Sequence, residues 1–431
     1  MTDIAQARIF QRFFQTETLS ALLLLIFSVL ALALANSSLA SIYAEVWTMP
    51  LGIGSGDHAL TLTLHEWINQ GLMSVFFLLV GLEVKRELLA GELASAKTAA
   101  LPLAAAIGGM ALPALIYFAV NPSGQGLRGW GTPMATDIAF ALGALALIAP
   151  GTPKPVKIFL AALAIIDDMG AVLVIAIFYS KSIIGSELSW SALLLALLIV
   201  FNIARVTRLT PYLLVGIALW FFVQRSGLHP SVVGVAVAMT IPTRTRIDAA
   251  QFSAEARQLL DQFDRAETGD LAVLTSEGQQ GALFALERAS ARVTAPILVL
   301  ENALHRFSAF VVMPLFAFAN AGVNLAGPVS NLQIAGGVFA GLLIGKPLGI
   351  TGGAWLATKF RIARLPSGIN WATLHGVSWL GGIGFTMSLF IATLAFDEPA
   401  LLIAAKLATM ASSLLAGLIG AVLLNFMQRR A

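Results

Sequence analysis

The sequence predicts an all-α polytopic membrane protein with about twelve transmembrane helices, and three observations carry that prediction. Of 431 residues, 58% are hydrophobic and only 11% are charged, where a soluble domain carries roughly 25% charged residues. The mean hydropathy is +0.85, which leaves lipid as the solvent. The third observation is the placement of lysine and arginine along the chain.

A spanning helix needs about 20 mostly apolar residues. Segments of that kind run over 18–36, 66–84, 98–120, 132–149, 157–180, 188–204, 210–224, 228–242, 294–321, 331–357, 370–396 and 400–427. The polar opening with Arg8 and Arg12 leads straight into the first of them, without a small-residue cleavage site, so it reads as a retained span rather than a signal peptide. Cytoplasmic loops retain Lys and Arg. With both termini inside, outer loops hold only Arg128, Lys181 and Arg225, and Arg306, Lys346 and Lys406 fall within spans. The other 20 of the 26 basic residues, Arg429 and Arg430 among them, fall in inner segments. That alternation supports both the span count and the orientation.

Two segments stand outside this pattern. Residues 47–64 place Gly-Ile-Gly-Ser-Gly-Asp before Leu-Thr-Leu-Thr-Leu, a turn beside alternating residues that suggests an outer β-hairpin. Residues 244–293 are polar and mixed in charge, with Phe252, Leu259, Leu260 and Phe263 at helical spacing. Fifty residues hardly support an independent core, so they read as a cytoplasmic pair of amphipathic helices within one domain spanning 1–431. The chain has no cysteine, which excludes disulfides and thiolate metal sites, and its net charge of +3 is too small to indicate a nucleic-acid partner.

Charge at membrane depth costs a few kcal/mol even on lenient scales and marks function by default. Asp137 falls in the fourth segment, Asp167 and Asp168 in the middle of the fifth, and Lys346 in the middle of the tenth. Neighbouring helical residues point about 100° apart, so one of the paired aspartates can meet Lys346 while the other lines a watery cavity. An ion pair that merely fixes helix packing is the plainer alternative for Asp167 with Lys346. A free aspartate titrates near pH 4, and burial or nearby like charge raises that value. A carboxylate site raised toward neutral pH holds a proton or a hard cation, never both at once, and that competition couples two fluxes. Hard cations prefer oxygen ligands, which the aspartates, the Thr136 hydroxyl and freed carbonyls can supply.

The fourth and eleventh segments look interrupted, by Gly129-Trp130-Gly131-Thr132-Pro133 and by Gly381-Gly382-Ile383-Gly384. Unwound backbone at membrane depth is tolerated where it lines protein or a cavity, and paired interruptions point to a transporter's site. A close-packing face is the alternative for the second run. Among other classes, a prenyl-diphosphate enzyme needs an Asp-Asp-x-x-Asp string, whereas Met169-Gly170-Ala171 follows the pair here. An intramembrane aspartyl protease leaves a mid-membrane lysine without a purpose, so an enzyme is not expected. A passive cation channel lacks countertransport.

The strings at 76–88, 135–143, 163–171, 314–323, 345–349 and 382–388 resemble the NhaA family of sodium/proton antiporters. The resemblance covers most of the chain outside 244–293. It implies inverted-topology repeats with two broken helices crossing mid-membrane; that family is itself a standing example of the architecture, so the fold enters by likeness. Asp167 and Asp168 would be the alternating site for H⁺ and Na⁺ (or Li⁺). Lys346 would pair with Asp167 and offset the carbonyl ends of the broken helices, Asp137 would offset their amide ends, and Thr136 would sit beside the break. Glu83, Lys85, Arg86, Glu87 and Glu301 would form a pH-responsive cytoplasmic cluster, with an ordinary charged helix end as the alternative. His229 would tune the pH response, with a structural histidine as the alternative, and His305 and Lys406 also match family positions, Lys406 as a residue that snorkels or packs. No role is assigned to His58, His65 or His375.

The likeness further implies a bacterial inner-membrane location with both termini cytoplasmic, no cofactor, and a homodimer contact through the 47–64 hairpin. Gln70, Asn302, Arg306 and the long 244–293 loop depart from the family pattern and bear on the pH profile.

Overall fold

The computed structural model describes residues 2–53, 60–180, 183–266, 276–325 and 331–428. Lys181, Arg429, Arg430 and the hairpin tip at 54–59 with His58 lie outside the described residues.

The first span lies in α1 (Thr2–Ala35), followed by the short α2 (Ala40–Thr48). Strands β1 (Pro50–Ile53) and β2 (Leu60–Thr63) pair antiparallel, Pro50 opposite Thr63 and Ile53 opposite Leu60. A reciprocal cap then starts α3 (Leu64–Ala90). The Thr63 hydroxyl accepts the Glu66 amide at 3.2 Å, and the Glu66 carboxylate accepts the Thr63 amide at 2.8 Å.

The spanning helices continue with α4 (Ala96–Val120), a 3-10 segment Gln125–Met134, α5 (Ile138–Ile148), α6 (Lys154–Phe178), α7 (Gly185–Ile203), α8 (Leu209–Ser226) and the shorter α9 (Ser231–Thr240). Two polar helices, α10 (Ala249–Arg265) and α11 (Glu277–Val293), precede α12 (Pro296–Asn320) and α13 (Leu332–Lys359). The chain closes with α14 (Trp371–Leu380), α15 (Phe385–Ala395) and α16 (Pro399–Gln428). Among the described residues nine helices are long and apolar enough to cross a membrane. Two further pairs bend at a break, Gln125–Met134 with α5 by 43° and α14 with α15 by 51°. With α9, these account for all twelve expected segments.

The outward faces are apolar, with Ile177, Ile203, Ile217 and Val422 each more than 60% exposed, as lipid-facing side chains require. Inside, small residues bring helices close. In α13 the glycines Gly341, Gly345, Gly349 and Gly353 recur every four residues and pack on α4: a Cβ at Gly349 would lie 2.2 Å from the Gly108 carbonyl oxygen. Dispersion and close backbone contact, rather than hydrophobic segregation, hold helices together in lipid. Two π-helical turns, Ser308–Val312 and Gly341–Gly345, each end just ahead of a proline, Pro314 or Pro347. Proline lacks an amide donor and clashes with the carbonyl four residues back; a wide turn there relieves the clash and sets the pitch at Lys346.

Off the spans, α10 and α11 pack as an antiparallel pair. Arg292 pairs with Glu255 across them, and Arg246 donates to the Thr207 hydroxyl at 2.7 Å, tying the pair to the α7–α8 connection.

Candidate functional site

The two breaks meet each other. The first leaves residues 135–137 extended and the second leaves 381–384 non-helical, and the Asp137 amide donates to the Ile383 carbonyl at 2.7 Å across them. The glycines of the second break admit this approach, since a Cβ at Gly384 would stand 3.0 Å from the Ala135 carbonyl oxygen and 2.2 Å from Ser388 Oγ. Break and close packing are therefore two aspects of one run.

Breaking a helix frees amides at one end and carbonyls at the other. Asp137 serves both freed amide ends. Its Oδ1 accepts the Phe140 amide of α5 at 3.0 Å. Its Oδ2 accepts the Thr386 amide of α15 at 3.1 Å and the Thr386 hydroxyl at 2.5 Å. One buried carboxylate thus caps two helices and opposes both positive dipole ends. At the carbonyl side, the Thr136 hydroxyl lies 2.8 Å from the Gly381 carbonyl oxygen and 2.6 Å from Asp167 Oδ2, with one proton to give between them.

Lys346 reaches Asp167 from α13: its ammonium donates to Asp167 Oδ2, and both side chains are buried. Burying two charges costs several kcal/mol each before their attraction is counted, so such a pair survives through added hydrogen bonds, and the Thr136 hydroxyl is one. Lys346 thus engages Asp167, and the side chain set against the freed carbonyls of α14 is Thr136.

Asp168 differs in kind. It is 0% exposed, and neither carboxylate oxygen has a hydrogen-bond partner among the described residues. With Asp137, it lines a cavity of about 600 Å³. An orphaned buried carboxylate costs more than an ordinary unmade hydrogen bond, so the group awaits a proton, water or a cation.

The same cavity runs to the far end of α3, where Glu83, Arg86 and Glu87 meet Glu301 and His305 of α12 along its wall. Arg86 donates to Glu301 at 3.0 Å and lies 3.1 Å from Glu87, and His305 Nδ1 lies 3.8 Å from Glu83. Exposed Glu92 and Asn302 mark its rim. Lys85 is not in this group. It donates to the carbonyls of Met239 at 2.7 Å and Ile241 at 2.6 Å, holding the C-terminal end of α9. At 100° per residue, 83, 86 and 87 share a face that 85 leaves, a signal already in the numbering.

His229 also lies apart: its Nδ1 sits 2.7 Å from the Ser231 hydroxyl at the start of α9, with the ring edge-on to Phe390. Gln70 forms a neutral pair with Gln224. Lys406 is buried rather than snorkelled. Thr386, central to the double cap, carries no warning in sequence beyond its place after the glycine run.

Comparison with known proteins places this arrangement. The family described as Na⁺/H⁺ antiporter 1 matches residues 11–424. The chain belongs to that family. It is similar to the Na⁺/H⁺ antiporter NhaA of Oleidesulfovibrio alaskensis, 46% identical over 97% of this chain and 94% of the relative. The antiporter NhaA 1 of Saccharophagus degradans is 45% identical over 95% and 90%, and the antiporter NhaA of Acidithiobacillus ferrooxidans 45% over 98% of both. The matched stretch takes in both breaks, all three aspartates and Lys346, so the geometry above lies wholly within the part of the chain that defines its membership of a multi-pass membrane family.

Proposed function

We propose that this protein exchanges cytoplasmic Na⁺, or Li⁺, for external H⁺ across the bacterial inner membrane, with both termini on the cytoplasmic side. The observation that carries the reading is Asp168, a carboxylate without hydrogen-bond partners among the described residues, at the inner end of a cavity lined by further acidic groups. Asp168 binds H⁺ or the metal cation alternately. Asp167, released from Lys346, is the second carboxylate, Thr136 contributes an oxygen, and Asp137 holds the crossing in place. No cofactor takes part; Na⁺ and H⁺ are cargo, and the chemistry is transport rather than catalysis of a covalent step.

Two carboxylates serve one cation, so more protons than Na⁺ move per cycle and exchange is electrogenic. Each net charge then couples to the potential at about 2.3 kcal/mol per 100 mV. The group of Glu83, Arg86, Glu87, Glu301 and His305 sets the response to pH, because its ion pairs line the cavity wall on the way to Asp168. The outer 47–64 segment, where strands β1 and β2 pair, is the contact through which two copies pair as a homodimer.

The test is Na⁺-induced collapse of a pH gradient in everted vesicles between about pH 6.5 and 8.5, a range that brackets neutrality, where a raised carboxylate exchanges its proton. Wild type is expected to collapse the gradient, and to respond to an imposed potential. No response to Na⁺ or Li⁺ at any pH ends the reading for these ions.

A further inference from the structure

Among the described residues, the cavity at Asp168 leads toward the Glu83–Glu301 end of the fold, and exchange of the kind proposed above requires access from the other face as well. From His65 to Glu83, α3 climbs about 27 Å at 1.5 Å per residue, so His65 marks the face opposite the cavity rim. Asn320, at the far end of α12 from Glu301, sits at that face too.

A chain of polar side chains starts there. His65 Nε2 lies 3.1 Å from Asn320 Oδ1, and the Asn320 amide donates to Asn69 Oδ1 at 2.8 Å. Asn69 and Asn320 are both buried. Lys406 of α16 is buried and close enough to His65 to act on its charge, and no hydrogen bond or ion pair is made by it among the described residues. Three and seven residues further along α16, on the same helical face, come Thr409 and Ser413. Thr409 is 0% exposed, with a hydroxyl that has no hydrogen-bond partner among the described residues. Ser413 Oγ accepts the amide of Phe385 at 3.2 Å, beside the Thr386 amide held by Asp137. Polar side chains thus descend α16 from the opposite face to the crossing itself.

Polar groups facing a bundle interior at membrane depth, costly and unpartnered, mark water-filled pathways. We infer that Ser413, Thr409 and Lys406, continued by the Asn320–Asn69–His65 chain, line the access route between the crossing and the outer face, hydrated when the cavity side closes. The inference rests on the exchange reading for its need of a second route.

The chain contains no cysteine, so Thr409→Cys gives one thiol. A membrane-impermeant methanethiosulfonate added outside right-side-out vesicles is expected to modify Thr409→Cys and Ser413→Cys at least tenfold faster than when it is added to everted vesicles. It should leave Ser28→Cys, at a buried serine of α1 whose hydroxyl donates to the Leu24 carbonyl within its own helix, unmodified. Ser37→Cys, exposed at the end of α1, reports that the reagent reaches that face. Both file positions remaining unreactive while Ser37→Cys reacts would overturn the route, as would labelling of Ser28→Cys at the same rate. Labelling is read independently of ion flux. Absent exchange in wild type therefore sinks the function without touching the labelling result, and absent labelling in an exchanging protein sinks the route alone.

Discussion

At the crossing, Asp137, Asp167 and Lys346 are buried and fixed by hydrogen bonds between 2.5 and 3.1 Å or by the Lys346–Asp167 pair itself. At the cavity rim, some turns of α3 away, the Arg86 side chain is 40% exposed and divides itself between Glu87 and Glu301. The same kinds of charge are held in opposite ways. Where water is absent, each unmatched group is expensive and geometry is single-valued. Where water reaches, ion pairs are worth about 0–1 kcal/mol and exchange partners freely. The crossing holds a single geometry, whereas the rim pairs can exchange partners. Asp168 belongs to the buried region by position, but it is left unsatisfied by hydrogen bonds there, which is why the chemistry is assigned to it.

The sharpest way to break this contrast is Asp168→Asn. Loss of Na⁺-driven gradient collapse by at least 100-fold is expected, with folded, membrane-inserted protein retained; exchange near the wild-type rate moves the site elsewhere. Next comes Lys346→Met, which leaves Asp167 buried and unpaired. Destabilisation of about 3–5 kcal/mol is expected from breaking a buried pair, read as a lowered midpoint in thermal unfolding of the detergent-solubilised protein. Adding Asp167→Asn should restore most of the midpoint, and a double variant no better than the single would mean that packing, not charge, is at stake.

A smaller effect separates packing from both electrostatic regions. Gly349→Ala pushes a methyl group against the Gly108 carbonyl oxygen, whereas a Cβ at Gly352 meets open space. Overpacking costs about 1–3 kcal/mol, so the first should lower the unfolding midpoint and the second leave it near wild type. Equal midpoints would argue that α4 and α13 part readily. The smallest effect belongs to Arg86→Ala at the rim, about 1 kcal/mol or less in stability. A shift in the pH dependence of exchange should accompany it, muted at high salt by screening. An unchanged pH profile would reduce the rim to an ordinary charged helix end.

Much of this was legible in the sequence for definite reasons. The cost of charge in lipid made Asp137, Asp167, Asp168 and Lys346 conspicuous, and the 100° step between adjacent helical residues separated Asp167 from Asp168 before any coordinates. The Gly381–Gly384 run coincides with the second break, whereas the Gly129–Pro133 run lies in the 3-10 segment just ahead of the first, at 135–137. What the sequence did not yield was which side chain meets which freed helix end. Thr136, not Lys346, stands against the Gly381 carbonyl, and Thr386 joins Asp137, because these contacts depend on how two distant segments cross. Lys85 was readable by helical phase. The four-residue glycine spacing of α13 went unread, and its packing against α4 emerges only from the structure. The burial of Lys406 depends on how α16 packs against α13, α14 and α15, which no local pattern announces.

Proton release on Na⁺ addition to the purified protein, followed in weakly buffered solution, tests the central claim most directly. If one carboxylate alternates between H⁺ and Na⁺, wild type releases protons in proportion to the Na⁺ bound, and Asp168→Asn releases markedly fewer or none. Undiminished release from Asp168→Asn, or Na⁺ binding without any release from wild type, would contradict the competition on which the account rests.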